Sequence, residues 1–488
     1  MEYIAVDLGA ESGRVMLGAV QNGILGMLEV HRFENAPIRE DGALKWDFRN
    51  ILSEVKKGIS AAVRKSEGKV SGIGVDSWGV DYGLLGSDGE LLENPYHYRD
   101  ERNKEMMQRA FELLGKEEIY ANTGLQFMQI NTIYQLLSSR INNPELLGKA
   151  EKLVFIADLL CYYLSGRISA EYSLASTSQL MDMHNGKWSE IIFGRLGLPI
   201  EIMPEVVKPG TISGPLRNDL CEEFGCEPIN VIASASHDTA CAVAAVPAEA
   251  EENWAYLSSG TWSLIGIESA EAYIGEKSLK YSFTNEGGVE GTIRFLKNIT
   301  GLWILQECRR QWQAEGEERS YGQLADMARR AEAFFGYIDT DDKSFLSPGN
   351  MPEKINNFLS GTGQQRLNDK GQTARVILES LAFKYRKVID DIFEITGKNT
   401  DVLHIVGGGI KNTALCEFTA DALGKKVITG PAEATAAGNI LMQARATGQI
   451  KSLRELRQIV KNSFRLKEYL PVDGDNWERQ YNKIKDLK

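Results

Sequence analysis

Asp238 lies in the stretch V-I-A-S-A-S-H-D-T-A-C-A-V, residues 231–243. Residues 231–235 form an apolar, partly β-branched run of strand length, and the Ala-rich segment after Asp238 suits a helix. The carboxylate is therefore expected at a strand-to-helix corner, at the carboxyl end of a strand, where open α/β sheets gather chain segments around a ligand. A carboxylate so placed can take the proton of a hydroxyl as a general base. It can equally be the helix N-cap, since Asp is among the favoured residues there.

Two short turns carry a second kind of chemistry. Residues 3–7 (Y-I-A-V-D) and 14–20 read as strands flanking D-L-G-A-E-S-G-R, which offers backbone N–H groups, two glycines and Arg14 to an anion. Residues 254–258 and 262–267 repeat the arrangement around S-G-T. A short Gly motif alone is weak evidence and fits a plain hairpin equally well. A strand, Gly turn, strand unit at the start of each half suggests duplicated sheets whose turns face one cleft and hold a polyphosphate. D-S-W-G-V-D, with Asp76, Trp78, Gly79 and Asp81 after a buried strand at 72–76, places carboxylates and a ring where a polyol could bind, or else a core Trp beside a turn. The triplet Gly407, Gly408, Gly409 follows a strand at 402–406 and would let a flat ring lie on the backbone, or serve as a helix entry turn. It is not a pyrophosphate fingerprint, because G-x-G-x-x-G is absent.

These residues need a scaffold. A third strand is expected at 25–33 and an amphipathic helix at 49–65, with Ile51, Val55, Ile59, Ala62 and Val63 at helical spacing. Residues 101–220 read mainly as helices and loops inserted on the first sheet. Residues 295–306 begin as a loop and continue as a helix carrying Gln306. The longest helical pattern spans 372–396, a helix follows from about 414 to 423, residues 427–428 form a strand, and 433–440 open a helix of small residues that permits close packing.

A chain of 488 residues exceeds one ordinary core, so at least two domains are expected. The formal net charge of -12, without a clustered Lys/Arg face, argues against nucleic acid or an anionic membrane as partner. The N-terminus has no basic region followed by a long apolar run, and no stretch approaches a membrane span, so a cytoplasmic protein is expected. The six cysteines form no C-x-x-C and are read as reduced, mostly core thiols.

Taken together, V-D-L-G-A-E-S-G-R, D-S-W-G-V-D, S-H-D-T-A, Y-L-S-S-G-T-W-S-L, L-K-N-I-T-G-L-W-I-L-Q, H-I-V-G-G-G and G-P-A-E-A-T-A-A-G-N-I resemble the FGGY carbohydrate kinases over residues 5–448. The resemblance implies an α/β fold of two duplicated ribonuclease-H-like, actin-like domains with a cleft between them. We expect an N-terminal domain over 1–243, a C-terminal domain over 244–455 and an extension over 456–488. Within the family the motifs are closest to kinases of the 6-deoxyketose L-rhamnulose, acting at O1. The resemblance further implies that Ala10, Glu11, Ser12, Gly13 and Arg14 touch the ATP phosphates, that Gly79, His237, Asp238 and Thr239 bind the ketose, and that Asp238 is the base. Asn298 would contact substrate, and Thr261, Gln306 and Gly408 the nucleotide. Asp7 is expected to help hold Mg2+ through water. Glu11 departs from the pattern, where a small residue is expected; its charge would repel phosphates unless it faces solvent or reaches a magnesium-bound water. The rival readings are a sister kinase of another ketose or glycerol, and an actin-like ATPase with no sugar substrate. The expected partners are small molecules, with the protein a monomer or weak homo-oligomer.

Overall fold

The computed structural model describes residues 1–249 and 251–485. It separates into two compact units, one formed by Met1–Ala245, Glu268–Phe295 and Ala434–Ser463, the other by Val246–Ile267, Leu296–Glu433 and Phe464–Lys488.

The first unit is built on strands β1 (Glu2–Leu8), β2 (Ser12–Gln21), β3 (Ile24–Glu34), β4 (Val70–Ser77), β5 (Thr211–Pro215) and β6 (Asn230–Ala233), in the sheet order β3-β2-β1-β4-β6-β5. The meander β1–β2–β3 is antiparallel, β1 and β4 run parallel, as do β4 and β6, and β5 returns antiparallel. The register of β1 and β4 sets Asp7 opposite Asp76. The expected helix spans Phe48–Lys65, capped by Asp47, which accepts from the Asn50 N–H; it buries Ile51, Val55, Ile59, Ala62 and Val63. Each of the Ile and Val side chains contributes about 1.5–3 kcal/mol on burial.

A second sheet repeats this plan with β7 (Trp254–Ser259), β8 (Trp262–Ser269), β9 (Ile293–Thr300), β10 (Val402–Val406), β11 (Lys426–Thr429) and β12 (Lys467–Tyr469), ordered β9-β8-β7-β10-β11-β12, and adds a seventh short strand, Thr284–Gly287, at the edge beyond β9. Here too β7 and β8 are antiparallel, β7, β10 and β11 parallel, and the outermost strand antiparallel. The common order and pairing sense are what a duplicated α/β fold requires. One local expectation changes: residues 295–300 continue a strand rather than a loop, so Asn298 sits on β9. The expected loop is confined to the residues after Thr300, because sheet pairing overrides local preference up to that point.

The helix Ala434–Ala446 belongs to the first unit, and its small residues bring it against the helix Asp238–Ala244. A Cβ on Gly438 would collide with the Cys241 carbonyl. From the same helix Asn439 donates to Asp76 Oδ2 at 2.6 Å, and Gln443 donates to the Ile4 carbonyl at 2.9 Å and to Asn439 Oδ1 at 2.7 Å. All six cysteines are thiols, five of them buried. Among the described residues no helix is long and apolar enough to cross a membrane.

Candidate active site

β6 ends at Ala233 and the chain turns into the helix Asp238–Ala244, as the strand-to-helix reading requires. The cap alternative is answered here. His237, extended, is the N-cap residue and makes no capping bond with its side chain, while Asp238 is the first helical residue. The Asp238 carboxylate is thus not consumed in closing the helix. Its side chain retains 32% exposure and lies 3.5 Å from His237 Nε2, and it accepts from Thr239 Oγ1 at 3.0 Å.

The corner is held from behind by buried polar groups. Ser77 N–H donates to the Ser236 carbonyl at 2.9 Å, tying β4 to the turn. The Glu171 carboxylate, fully buried, accepts from the N–H groups of Ser173, Leu174 and Ser236 and from Ser173 Oγ; that hydroxyl in turn accepts from the His237 N–H at 3.3 Å. On the ring side, Arg294 Nη2 stands 3.0 Å from His237 Nδ1 and Glu286 Oε2 3.4 Å away. Arg294 and Glu286 pair at 3.0 Å, and Arg294 Nε donates to the Gly287 carbonyl at 2.9 Å. Burial pushes the Glu286 carboxyl up, but the neighbouring Arg294 charge leads the opposing effects, which hold the group below the usual carboxylate range. Sequence reasoning missed Glu171, Glu286 and Arg294. Their only signal was a charge inside an otherwise buried segment, which marks a pairing without naming the partner.

In the first turn, Gly9 N–H donates to the Ser12 carbonyl and Asn35 braces the loop by donating from Nδ2 to the Gly9 carbonyl, both at 2.9 Å. Ala10 and Ser12 are half-buried and Glu11 is exposed, as the like-charge argument asks. A Cβ on Gly13 would strike the Phe33 ring. Arg14 pairs with Asp7 across the strands, and beside them Asp76 is wholly buried. Burial and the neighbouring Asp7 charge push Asp76 well above the usual range, against the hydrogen bond from Asn439, with Asp238 adding to the rise. Asp76 Oδ1 is buried with no hydrogen-bond partner among the described residues.

D-S-W-G-V-D is a rigid corner. Asp81 Oδ2 accepts from both indoles, Trp46 Nε1 at 2.7 Å and Trp78 Nε1 at 3.0 Å, and from the Tyr98 N–H at 3.2 Å, while Oδ1 accepts from Gln135 Nε2 at 2.8 Å. Burial nonetheless raises Asp81 to about 6. Trp78 is buried against Trp46, their ring centroids 4.3 Å apart, so its core role prevails and half-buried Tyr98 is the better exposed ring. A Cβ on Gly79 would lie 2.8 Å from Thr177 Oγ1, and Val80 adopts a φ of 71°, a strained choice for a β-branched residue beside a site.

In the second unit, the Thr261 carbonyl accepts from the N–H groups of Gly301 and Trp303 at 3.1 and 3.2 Å, joining the β7–β8 turn to the start of the helix Trp303–Ala314 that carries Gln306. The glycine triplet folds against Ser259. Gly407 has a φ of 87° and a Cβ there would lie 2.9 Å from the Ser259 carbonyl oxygen; one on Gly409 would overlap the Ser259 side chain; Gly408 has open space.

Among the described residues no three His, Cys, Asp or Glu side chains are grouped to hold a metal ion directly.

The chain matches models of the FGGY family of carbohydrate kinases, the N-terminal domain over residues 2–245 and the C-terminal domain over 255–447. It is 40% identical over 484 residues to a rhamnulokinase of Bacteroides thetaiotaomicron, covering 99% of each chain. To a rhamnulokinase of Bacillus subtilis it is 39% identical, covering 97% of this chain and 96% of that one. Its fold is that of a xylulose kinase from Lactobacillus acidophilus, with a TM-score of 0.83 at 18% identity over 100% of this chain and 97% of that one. It is also that of a Plasmodium falciparum glycerol kinase, with a TM-score of 0.78 at 16% identity over 99% and 97%. With both family domains matched along one chain and relatives aligned over nearly its whole length, the protein belongs to the FGGY family of carbohydrate kinases.

Proposed function

We propose that the protein is an ATP-dependent kinase that converts L-rhamnulose to L-rhamnulose 1-phosphate in L-rhamnose catabolism, acting in the cytoplasm. The observation that carries the mechanism is the Asp238 carboxylate, partly exposed at the first turn of its helix and free of any capping duty. The substrate rests on the rhamnulokinases that align with almost the entire chain.

In this reading Asp238 accepts the proton of the sugar O1 hydroxyl as O1 attacks the γ-phosphorus of ATP. The O1–P bond forms, the bond from γ-phosphorus to the β,γ-bridging oxygen breaks, and ADP leaves with the electron pair. Phosphoryl transfer asks the protein chiefly for position and charge. His237, Thr239, Gly79 and Asn298 orient the ketose. Ala10 to Arg14 in the first turn and Thr261 in the second offer donors to phosphate oxygens, and Gln306 and Gly408 receive the rest of the nucleotide. Mg2+ fits the acidic corner of Asp7 and Asp76, where the buried Asp76 Oδ1 has no hydrogen-bond partner among the described residues. Few direct protein ligands is the usual manner of that ion, which keeps waters and nucleotide oxygens. When bound it neutralises phosphate charge; Asp7 would hold it through water. The halves 1–243 and 244–455, with an extension at 456–488, remain our division of the chain, and we take the protein as a monomer or weak homo-oligomer.

ADP release measured over L-rhamnulose, L-fuculose, L-xylulose, D-xylulose and glycerol tests the substrate. L-rhamnulose should lead and glycerol trail far behind, because unmet hydroxyl partners discriminate by roughly 10⁴ or more, whereas one methyl is worth only about 10 to 200-fold. D-xylulose or glycerol leading would assign a sister kinase, and ADP release indifferent to sugar would sink the reading.

A further inference from the structure

We propose that the buried pair Arg294–Glu286 is a positioning device for His237, fixing its proton on Nε2 so that the ring presents an N–H donor beside Asp238 to a ketose oxygen. The inference rests on the functional reading above for its ketose, but its structural core does not.

The Arg294 side chain has no exposure and that of Glu286 only 6%. A guanidinium donates and never accepts, so its Nη2, 3.0 Å from Nδ1, requires a lone pair on that nitrogen. The Glu286 carboxylate, 3.4 Å from the same Nδ1, would instead require an N–H there. The guanidinium prevails: it is the shorter contact, and protonating Nδ1 would set two donors against each other in a buried site. Glu286 then serves to neutralise Arg294, whose Nε is already anchored on the Gly287 carbonyl. A neutral imidazole with Nδ1 occupied carries its proton on Nε2. That nitrogen lies 3.5 Å from Asp238 Oδ1, too long for a good hydrogen bond, so the N–H remains available to a substrate oxygen next to the base. Arg294 itself lies behind the ring and acts through it.

The tautomer is read directly by NMR of the full chain labelled with 15N-histidine, with the His237 signals identified by their loss in His237→Gln. Protonated Nε2 with unprotonated Nδ1 is expected at neutral pH. The opposite tautomer or an imidazolium overturns the proposal, and this readout needs no turnover, so it separates from failure of the substrate assignment. Steady-state kinetics supply the second arm. Arg294→Met and Glu286→Gln should each raise KM for the ketose by about tenfold, the worth of one misdirected hydrogen bond, leaving KM for ATP within about twofold. In His237→Gln, whose amide cannot change tautomer, the Glu286→Gln effect should largely vanish. Additive effects in this cycle, or equal rises in both KM values, would mark a merely structural pair. Should Arg294→Met not fold, Glu286→Gln and the wild-type tautomer still decide.

Discussion

Arg14 grips the Asp7 carboxylate from the neighbouring strand, with Nε at 3.0 Å and Nη2 at 2.7 Å from the same Oδ2. Both side chains are mostly buried, so little solvent screens the pair. Arg14 thus offsets part of the negative charge that Asp7, Asp76 and Asp238 gather at this corner. Arg14→Gln should raise KM for ATP by about 10 to 100-fold, the worth of lost charge-assisted bonds, and Arg14→Lys should recover part of it. Calorimetric titration with ADP alongside turnover checks this; unchanged nucleotide affinity would remove Arg14 from the phosphate side.

Asp238→Asn keeps the shape of the side chain and removes the base. Turnover should fall by about 10² to 10⁴, with ADP affinity and melting temperature near those of the parent, since His237 occupies the cap position. A variant retaining more than about a tenth of turnover would refute the assignment.

Asp81 should govern stability and its response to pH. Asp81→Ala strands two indole N–H groups, each costing about 1–3 kcal/mol when unmet. The carboxyl, near 6 in the folded chain and ordinarily 3.8, binds its proton more readily folded than unfolded. Its contribution therefore favours folding as pH falls from about 6 towards 4 and disfavours it above about 6. Urea denaturation at pH 4.5 and 6.5 should show a smaller pH difference for Asp81→Asn than for the parent.

The glycine triplet offers a contrast within three residues. Gly409→Ala meets Ser259 and should lower the melting temperature, while Gly408→Val, with open space around it, should leave melting alone and raise KM for ATP. A thermal shift assay with ATP kinetics tests both; Gly408→Val with unaltered KM would end the nucleotide role of that position.

Much of this was legible in the chain. Strand and helix periods located both meanders, the helix Phe48–Lys65 and the Asp238 corner, because each depends on neighbours in sequence. Illegible were relations set by the sheet and by distant segments. Nothing near Ser236 announces Glu171, nothing near His237 announces Arg294, and the placement of Asn298 on a strand follows from pairing rather than from its own residues. The polar reading of Trp78 and Asp81 failed for the same reason: their hydrogen bonds are made to each other and to Trp46 and Gln135.

The close seat of Gly438 on Cys241 bears on how the protein is made. Ribosomal synthesis delivers residues 1–245 first, and at that stage the back of the helix Asp238–Ala244, Asp76 Oδ2 and the Ile4 carbonyl await Gly438, Asn439 and Gln443. Although domains generally fold as units in order of synthesis, the unit that bears Asp238 is closed only after residue 446 has emerged. A nascent or prematurely terminated chain lacking the helix Ala434–Ala446 would leave an apolar face and two buried acceptors unmatched, and such a fragment is a natural client for chaperones and proteases.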